Sequence, residues 1–266
     1  MNFYAATVNC PQGLVIDSTA VLRELLGTMK RRSMTYFSIF CACLMIVTVV
    51  RATDAVILLH GLARGHGSME KMGSELAKEG YYVLNVDYPS TTASIEELSD
   101  RTMEKLWQDP VLQNCERVNF VTHSMGGILV RSYLSRNEMP QLGRVVMLGP
   151  PNQGSEVVDE VGEWWIFDQI NGPAGKELGT DEDSTPNKLG PVEFELGVIA
   201  GDRSVNWINS SAMIPGPDDG KVSVERTKVE GMKEHIVVQA THPFIMNSAE
   251  VIDYTIRFLE TGSFKD

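Results

Sequence analysis

The chain has 266 residues, of which 43% are hydrophobic and 22% charged. That suffices for one α/β domain around a single core and lies outside the compositions of fibrous or disordered chains. Its 35 acidic residues outnumber the 23 basic ones, for a formal net charge of −12, a balance that repels phosphate backbones and excludes nucleic acid as a partner without favouring any one substrate.

The first 52 residues read as separate from the domain at 53–266. Lys30-Arg31-Arg32 precedes an apolar run from Tyr36 to Val50, and Val50-Arg51-Ala52 supplies small or apolar residues where a signal peptidase reads them. The run is about 15 residues, short of the roughly 20 that span a bilayer. This pattern predicts a signal peptide starting at Met29, an N-terminal extension before it, and an exported protein, periplasmic or secreted. An uncleaved signal anchor is the alternative, which would give the apolar segment a membrane contact. Of the four cysteines, only Cys115 lies beyond Ala52, so the mature chain has no internal disulfide.

Beyond residue 53, short apolar runs alternate with amphipathic stretches. Ala55–Leu59 is uniformly apolar, as a strand buried on both faces must be. Ser68–Lys78 carries Met69, Met72, Leu76 and Ala77 at helical spacing, and Gly80 introduces a strand at Tyr81–Val86. Ser94-Ile95-Glu96-Glu97 is a capping box that opens a helix with Ile95, Leu98, Thr102 and Leu106 on one face. Strands are predicted at Val118–Val121, Arg144–Leu148, Val192–Ala200 and Glu234–Gln239, and helices at Gly126–Leu134 and Ala249–Leu259. The Gly-, Pro- and acid-rich stretch Gly172–Pro191 reads as a long surface loop. The alternation predicts an α/β fold, a mostly parallel sheet with helices on both faces.

Chemistry concentrates where Val118-Asn119-Phe120-Val121-Thr122-His123 runs into Ser124-Met125-Gly126-Gly127. A serine on a sharp strand-to-helix turn lifts its hydroxyl clear of the sheet, and small neighbours let strand and helix pass closely. Thr122 departs from the usual Gly-x-Ser-x-Gly pattern. Two histidines lie downstream. His235 opens a strand, whereas His242 follows it, at the carboxyl edge where Ser124 stands, so His242 is the candidate base. His123 is expected to pack beneath the turn. Between them, the loop Ile214-Pro215-Gly216-Pro217-Asp218-Asp219-Gly220-Lys221-Val222 offers two carboxylates, Asp218 and Asp219. With Glu225 they do not meet calcium-loop spacing. Likewise Gly61–Gly67 lacks the spacing of a phosphate-binding loop.

Taken together, Ser124-Met125-Gly126-Gly127, Asp219-Gly220-x-Val222, His242 and the His60-Gly61 pair after the first strand resemble bacterial lipases and esterases of the α/β-hydrolase fold. The likeness spans residues 53–262 or so and includes Asp87-Tyr88-Pro89-Ser90, Gly149-Pro150-Pro151-Asn152-Gln153-Gly154-Ser155 and Gly172-Pro173-Ala174-Gly175. It implies Asp219 as the acid rather than Asp218, and an oxyanion hole made by the backbone N–H groups of Leu62 and Met125. His60 would orient that loop. It further implies a two-step reaction through an acyl-enzyme, with no cofactor and no metal. The substrate would be a small-molecule ester or lipid, either lipid-like or with a short-to-medium acyl group.

Trp164, Trp165 and Phe167 fall where these enzymes place acyl-pocket or lid residues, to line an acyl groove or to be buried under the long loop, and the chain leaves room for a small lid or none. A thioesterase, or a lipid or protein deacylase of the same fold, would use the same residues. A non-catalytic envelope binding protein is the reading from another class. N-terminal sequencing of the exported protein is expected to begin at Thr53; a chain starting at Met1, or one retaining the apolar run, would contradict the signal peptide.

Overall fold

The computed structural model describes residues 6–7, 54–161, 165–204 and 214–265. The proposed signal segment lies outside the described residues. Six parallel strands form the sheet: β2 (Ala55–Leu59), β3 (Tyr82–Val86), β4 (Val118–His123), β5 (Leu142–Leu148), β6 (Leu196–Gly201) and β7 (Glu234–Val238). A two-residue segment, β1 (Ala6–Thr7), pairs antiparallel with Asn85 and Leu84 of β3. The sheet order is β1-β3-β2-β4-β5-β6-β7.

Alternate strand residues feed two separate cores, because successive side chains leave a strand on opposite faces. Ala55, Ile57, Leu59, Phe120, Val145, Met147 and Val198 point to one face. There they meet α2 (Ile95–Leu106) through Ile95, Leu98 and Met103, and α3 (Met125–Leu134) through Ile128 and Leu129. Val56, Leu58, Val121, Val146, Leu148 and Ile199 point to the other. They meet α1 (Glu70–Lys78) through Met72 and Leu76, and α7 (Ala249–Thr261) through Val251, Ile252, Phe258 and Leu259. Burial on both faces is why β2 reads as an unbroken apolar run.

The topology places the crevice. From β2 the chain steps outward to β3, then returns to β4 on the other side of β2. Loops leaving the carboxyl ends of β2 and β4 therefore diverge, and the gap between them is where open α/β sheets hold ligands. His60 follows β2 and Ser124 follows β4.

Two expectations from sequence need correction. The strand predicted from Val192 starts only at Leu196. Val192 donates its N–H to the Glu230 carbonyl outside the sheet, and its side chain is buried in the core below. The stretch 172–191 is not a loop throughout: it contains the end of α5 (Trp165–Lys176) and α6 (Thr185–Lys188), and Ala174, Leu178, Ser184 and Pro186 are buried. Its Gly and Pro residues punctuate helices. Gly172 takes φ 62° at a kink and Pro186 occupies the first turn of α6, where its missing N–H costs nothing. At the capping box, Ser94 Oγ accepts from the Glu97 N–H at 3.2 Å.

Candidate active site

Ser124 has φ 54° and ψ −125°, one of two non-glycine residues with positive φ among those described. That conformation is costly for an L-residue and persists only where the surroundings impose it. The surroundings are visible. The Ser124 N–H is held by the Leu148 carbonyl at 2.9 Å. A Cβ at Gly126 would fall 2.6 Å from the Leu59 carbonyl oxygen and 2.9 Å from that of His60, so α3 can start against β2 only with glycine there. Thr122, which stands where the general pattern has glycine, is fully buried, and a Cβ at Gly127 would lie 3.2 Å from its Oγ1. Met147 Sδ would lie closer still to that Cβ, at 2.9 Å, so the bare α-carbon of Gly127 makes room for both Met147 and Thr122.

Asp219 and His242 are delivered by the loops after β6 and β7. Asp219 is fully buried. Its Oδ1 accepts from the backbone N–H groups of Lys221 at 3.0 Å and Val222 at 2.9 Å, and its Oδ2 accepts from His242 Nδ1 at 2.7 Å. A second link, from the His242 N–H to the Asp219 carbonyl at 2.8 Å, fixes the two backbones. Since a carboxylate can only accept, Nδ1 carries the proton and Nε2 is left as an acceptor. Nε2 lies 3.0 Å from Ser124 Oγ. The neighbouring Asp218 instead uses Oδ1 to accept from the Gly220 N–H at 2.7 Å, closing the turn.

The described region holds two other buried histidines beside this chain, and neither is free to exchange protons with it. His123 donates from Nε2 to the His242 carbonyl at 2.9 Å, with ring centroids 4.7 Å apart. Its burial, with His242 and Arg64 nearby, holds its pKa well below the ordinary value. It anchors the backbone of His242 from beneath the turn. His60 donates from Nδ1 to the Gly61 carbonyl at 2.8 Å and stacks on Tyr88, with centroids 4.2 Å apart and planes 9° apart. Tyr88 in turn donates its hydroxyl to the His60 carbonyl at 2.5 Å. Burial lowers the His60 pKa despite the Gly61 carbonyl and Asp87, and burial raises that of the Tyr88 phenol.

These contacts shape the loop carrying Leu62. Gly61 runs so close to the turn that a Cβ there would lie 2.9 Å from His123 Nδ1 and 3.1 Å from Ser124 Cβ. Ala63, the other positive-φ residue at 53°, donates its N–H to Ser90 Oγ at 3.0 Å. Leu62 is half-buried and Met125 is the first residue of α3. Neither N–H donates to a protein acceptor among the described residues, as expected at a helix start and a tight loop that leave donors facing outward.

Sequence reading missed the supports. Tyr88, Ser90 and Gly149 lie within stretches it had singled out, with no role given to them. Gly149 has φ 53°, and a Cβ there would lie 2.8 Å from Asp219 Oδ2 and 3.2 Å from His242 Nδ1; its position directly after β5 was the available signal. Trp164 lies outside the described residues, and Trp165 and Phe167 are part of the helix α5. His235 lies on the edge strand β7, half-buried, with Nε2 2.8 Å from Thr227 Oγ1. A cavity of about 780 Å³ lies between β3 and α2, lined by Leu84, Tyr88, Leu98 and Leu106 among others; Ser124, Asp219 and His242 do not line it. Among the described residues, no group of three or more His, Cys, Asp or Glu is placed to hold a metal ion, and no helix is long and apolar enough to cross a membrane.

Known proteins resemble this chain in sequence and in fold. Residues 55–185 match the family model of palmitoyl protein thioesterases, a stretch that includes Ser124 and stops before Asp219 and His242. Palmitoyl-protein thioesterase 3 of Dictyostelium discoideum is 26% identical over 157 residues, covering 56% of this chain and 51% of that protein, so the chain spans about half the length of this relative. Among solved structures, the mature lipase BlEst2 of Bacillus licheniformis superposes with a TM-score of 0.61 at 19% identity, covering 80% of this chain and 93% of that one. The esterase Pf2001 of Pyrococcus furiosus gives 0.51 at 20% identity, covering 79% and 83%.

The neutral histidines predict an acid-sensitive fold. The unfolded chain protonates His123 near its ordinary pKa of about 6.5, while the folded chain resists until a lower pH. The unfolded state therefore binds more protons as pH falls below about 6.5, and stability declines from there; His60 and His235, also lowered by burial, add in the same direction. Urea unfolding between about pH 7 and pH 5 should show a shallower pH slope for His123→Gln than for the wild type. Equal slopes would contradict the buried neutral His123.

Proposed function

From the α/β-hydrolase fold of this chain, we propose that the protein is a serine hydrolase of acyl esters, with Ser124 as nucleophile, His242 as base and Asp219 as acid. The observation that carries this reading is the continuous hydrogen-bonded chain Asp219 Oδ2–His242 Nδ1 at 2.7 Å and His242 Nε2–Ser124 Oγ at 3.0 Å, ending on a serine with φ 54°.

In the first step Ser124 Oγ attacks the substrate carbonyl carbon while His242 Nε2 takes its proton. The carbonyl π electrons move to oxygen, and the N–H groups of Leu62 and Met125 receive the oxyanion. Fixed donors of this kind stabilise that charge without reorganising, each worth about 3–4 kcal/mol. Collapse breaks the bond to the alcohol, which leaves with the proton held by His242. Water then enters, gives a proton to His242 as its oxygen attacks the acyl carbon, and collapse breaks the bond to Ser124 Oγ, which takes that proton back from His242 as the acid is released. Asp219 keeps the imidazole in the required tautomer and offsets its positive charge in each step. His60 holds the oxyanion loop and moves no proton.

A second reading, thioester cleavage, is favoured by the match to palmitoyl protein thioesterases over 55–185 and by the name of the Dictyostelium relative. A thiol leaving group passes through the same kind of tetrahedral intermediate. The preferred acyl chain would be lipid-like or short to medium, with Trp164, Trp165 and Phe167 the candidates to line its groove. Export, or anchoring through the apolar run 36–50, belongs to the same proposal.

Hydrolysis of p-nitrophenyl esters from acetate to palmitate, beside a palmitoyl thioester, tests both readings. Wild-type protein is expected to turn over one series, and Ser124→Ala to lose about 10⁴-fold or more. Turnover that survives Ser124→Ala would contradict the assignment. Preference for the thioester over the palmitate ester would select the second reading.

A further inference from the structure

Arg131 is the seventh residue of α3, the helix that begins beside Ser124, and only 3% of it is exposed. A buried guanidinium normally pairs with a carboxylate. Among the described residues none pairs with this one, and desolvation lowers its pKa to about 10. All its acceptors are neutral. Nη1 donates to the Asn152 carbonyl at 2.9 Å and to Asn152 Oδ1 at 3.1 Å; Nη2 donates to the carbonyls of Pro186 at 3.1 Å and Gly190 at 2.7 Å. A planar fork spends two donors on each segment, which a lysine cannot reproduce.

Asn152 belongs to the strap 149–155 that leaves β5. At its start, Gly149 lies against the Asp219–His242 hydrogen bond. Farther along, the strap is stitched to the loop that carries Asp219. Asn152 Nδ2 donates to the Thr227 carbonyl at 2.8 Å, the Gln153 N–H to the Arg226 carbonyl at 3.0 Å, and Ser155 Oγ to the Lys221 carbonyl at 2.7 Å. Arg226 Nη1 returns a bond to the Gln153 carbonyl at 2.8 Å. Beyond the strap, the buried Glu156, the first residue of α4 (Glu156–Val161), accepts from Ser223 Oγ at 2.8 Å and Arg226 Nε at 2.9 Å. Strap and acid loop are therefore bonded to each other at several points, and Arg131 ties the strap to the helix that carries Ser124 at its start.

We propose that Arg131 is a positioning residue: through Asn152 it sets where Asp219, and so His242, stands relative to Ser124. The inference deepens the serine-hydrolase reading and rests on it for its kinetic consequence. Its structural consequence is independent. Its Nε has no hydrogen-bond partner among the described residues, and the four bonds from Nη1 and Nη2 are what the guanidinium supplies that an apolar side chain of similar volume could not.

The test compares wild type, Arg131→Lys and Asn152→Ala, each held well below its own thermal midpoint. Two readouts are taken: the low-field proton resonance of His242 Nδ1–H, which reports the bond to Asp219 without any need for turnover, and kcat and KM for a p-nitrophenyl ester per titrated Ser124. Arg131→Lys is expected to shift or broaden that resonance and to lower kcat about ten- to hundredfold, the cost of a small misplacement, with KM changed less than about twofold. Asn152→Ala, which leaves Arg131 its carbonyl partners, should act in the same direction. The double variant should be no worse than the poorer single one, because both break one linkage. An unchanged resonance with wild-type kcat in the folded variants, or additive effects, would overturn the proposal; should Arg131→Lys not fold, Asn152→Ala decides alone. If the wild type has no activity but the resonance still responds to Arg131→Lys, the positioning role stands and the hydrolase reading falls.

Discussion

The structure depends on one close approach: the start of α3 against the carboxyl ends of β2 and β4. With the Leu59 and His60 carbonyl oxygens 2.6 and 2.9 Å from where a Gly126 Cβ would be, the helix can begin there only as a bare backbone. The chain must then turn from strand to helix in one residue, and Ser124 absorbs the turn at φ 54°. Strain stored at that residue is sustained by the parallel pairing of β4 with both β2 and β5, which places Thr122 opposite Leu59 and His123 opposite Leu148. Two apolar cores, one on each face, hold those pairs rigid. The exposed hydroxyl is thus a product of packing across the whole sheet, not a local feature of a loop.

Three histidines converge on this turn, and their hydrogen bonds separate their roles more sharply than their positions do. His60 and His123 each donate to a backbone carbonyl and are buried, which favours the neutral ring. Only His242 faces a carboxylate on one side and a hydroxyl on the other. A neutral ring donating to a carbonyl is a strut, while a ring between a carboxylate and a hydroxyl can carry a proton from one task to the next. The struts support the ring between them: His123 bonds to the His242 carbonyl, and His60 with Tyr88 holds the loop that leads to Leu62.

Much of this was legible from residue order because both cores write themselves into the strands. Ala55–Leu59 could only be a strand buried on two faces, and the residues around Ser124 could only be a strand meeting a helix. Over-reading occurred where apolarity and pairing part company: Val192 is buried, yet its N–H bonds outside the sheet. Gly172 and Pro186 misled in the opposite sense, since a kink and a first helical turn use the same residues as a loop. Arg131 was illegible for a deeper reason. Its partners are mainly backbone carbonyls, which every residue possesses, so no spacing of side chains could announce them. The supports at Gly149 and Ser90 share that property, one acting by having no side chain and the other by accepting a backbone N–H.

The central claim is that Ser124 is activated by His242. Its most direct test is treatment of the protein with a fluorophosphonate, tryptic digestion, and mass mapping of the adduct, in wild type and in His242→Ala. The peptide 118–131 isolates Ser124 between Arg117 and Arg131. One adduct is expected, on Ser124, and its formation collapses when His242 is removed. An adduct elsewhere, none at all, or labelling of Ser124 at the same rate without His242 would contradict it.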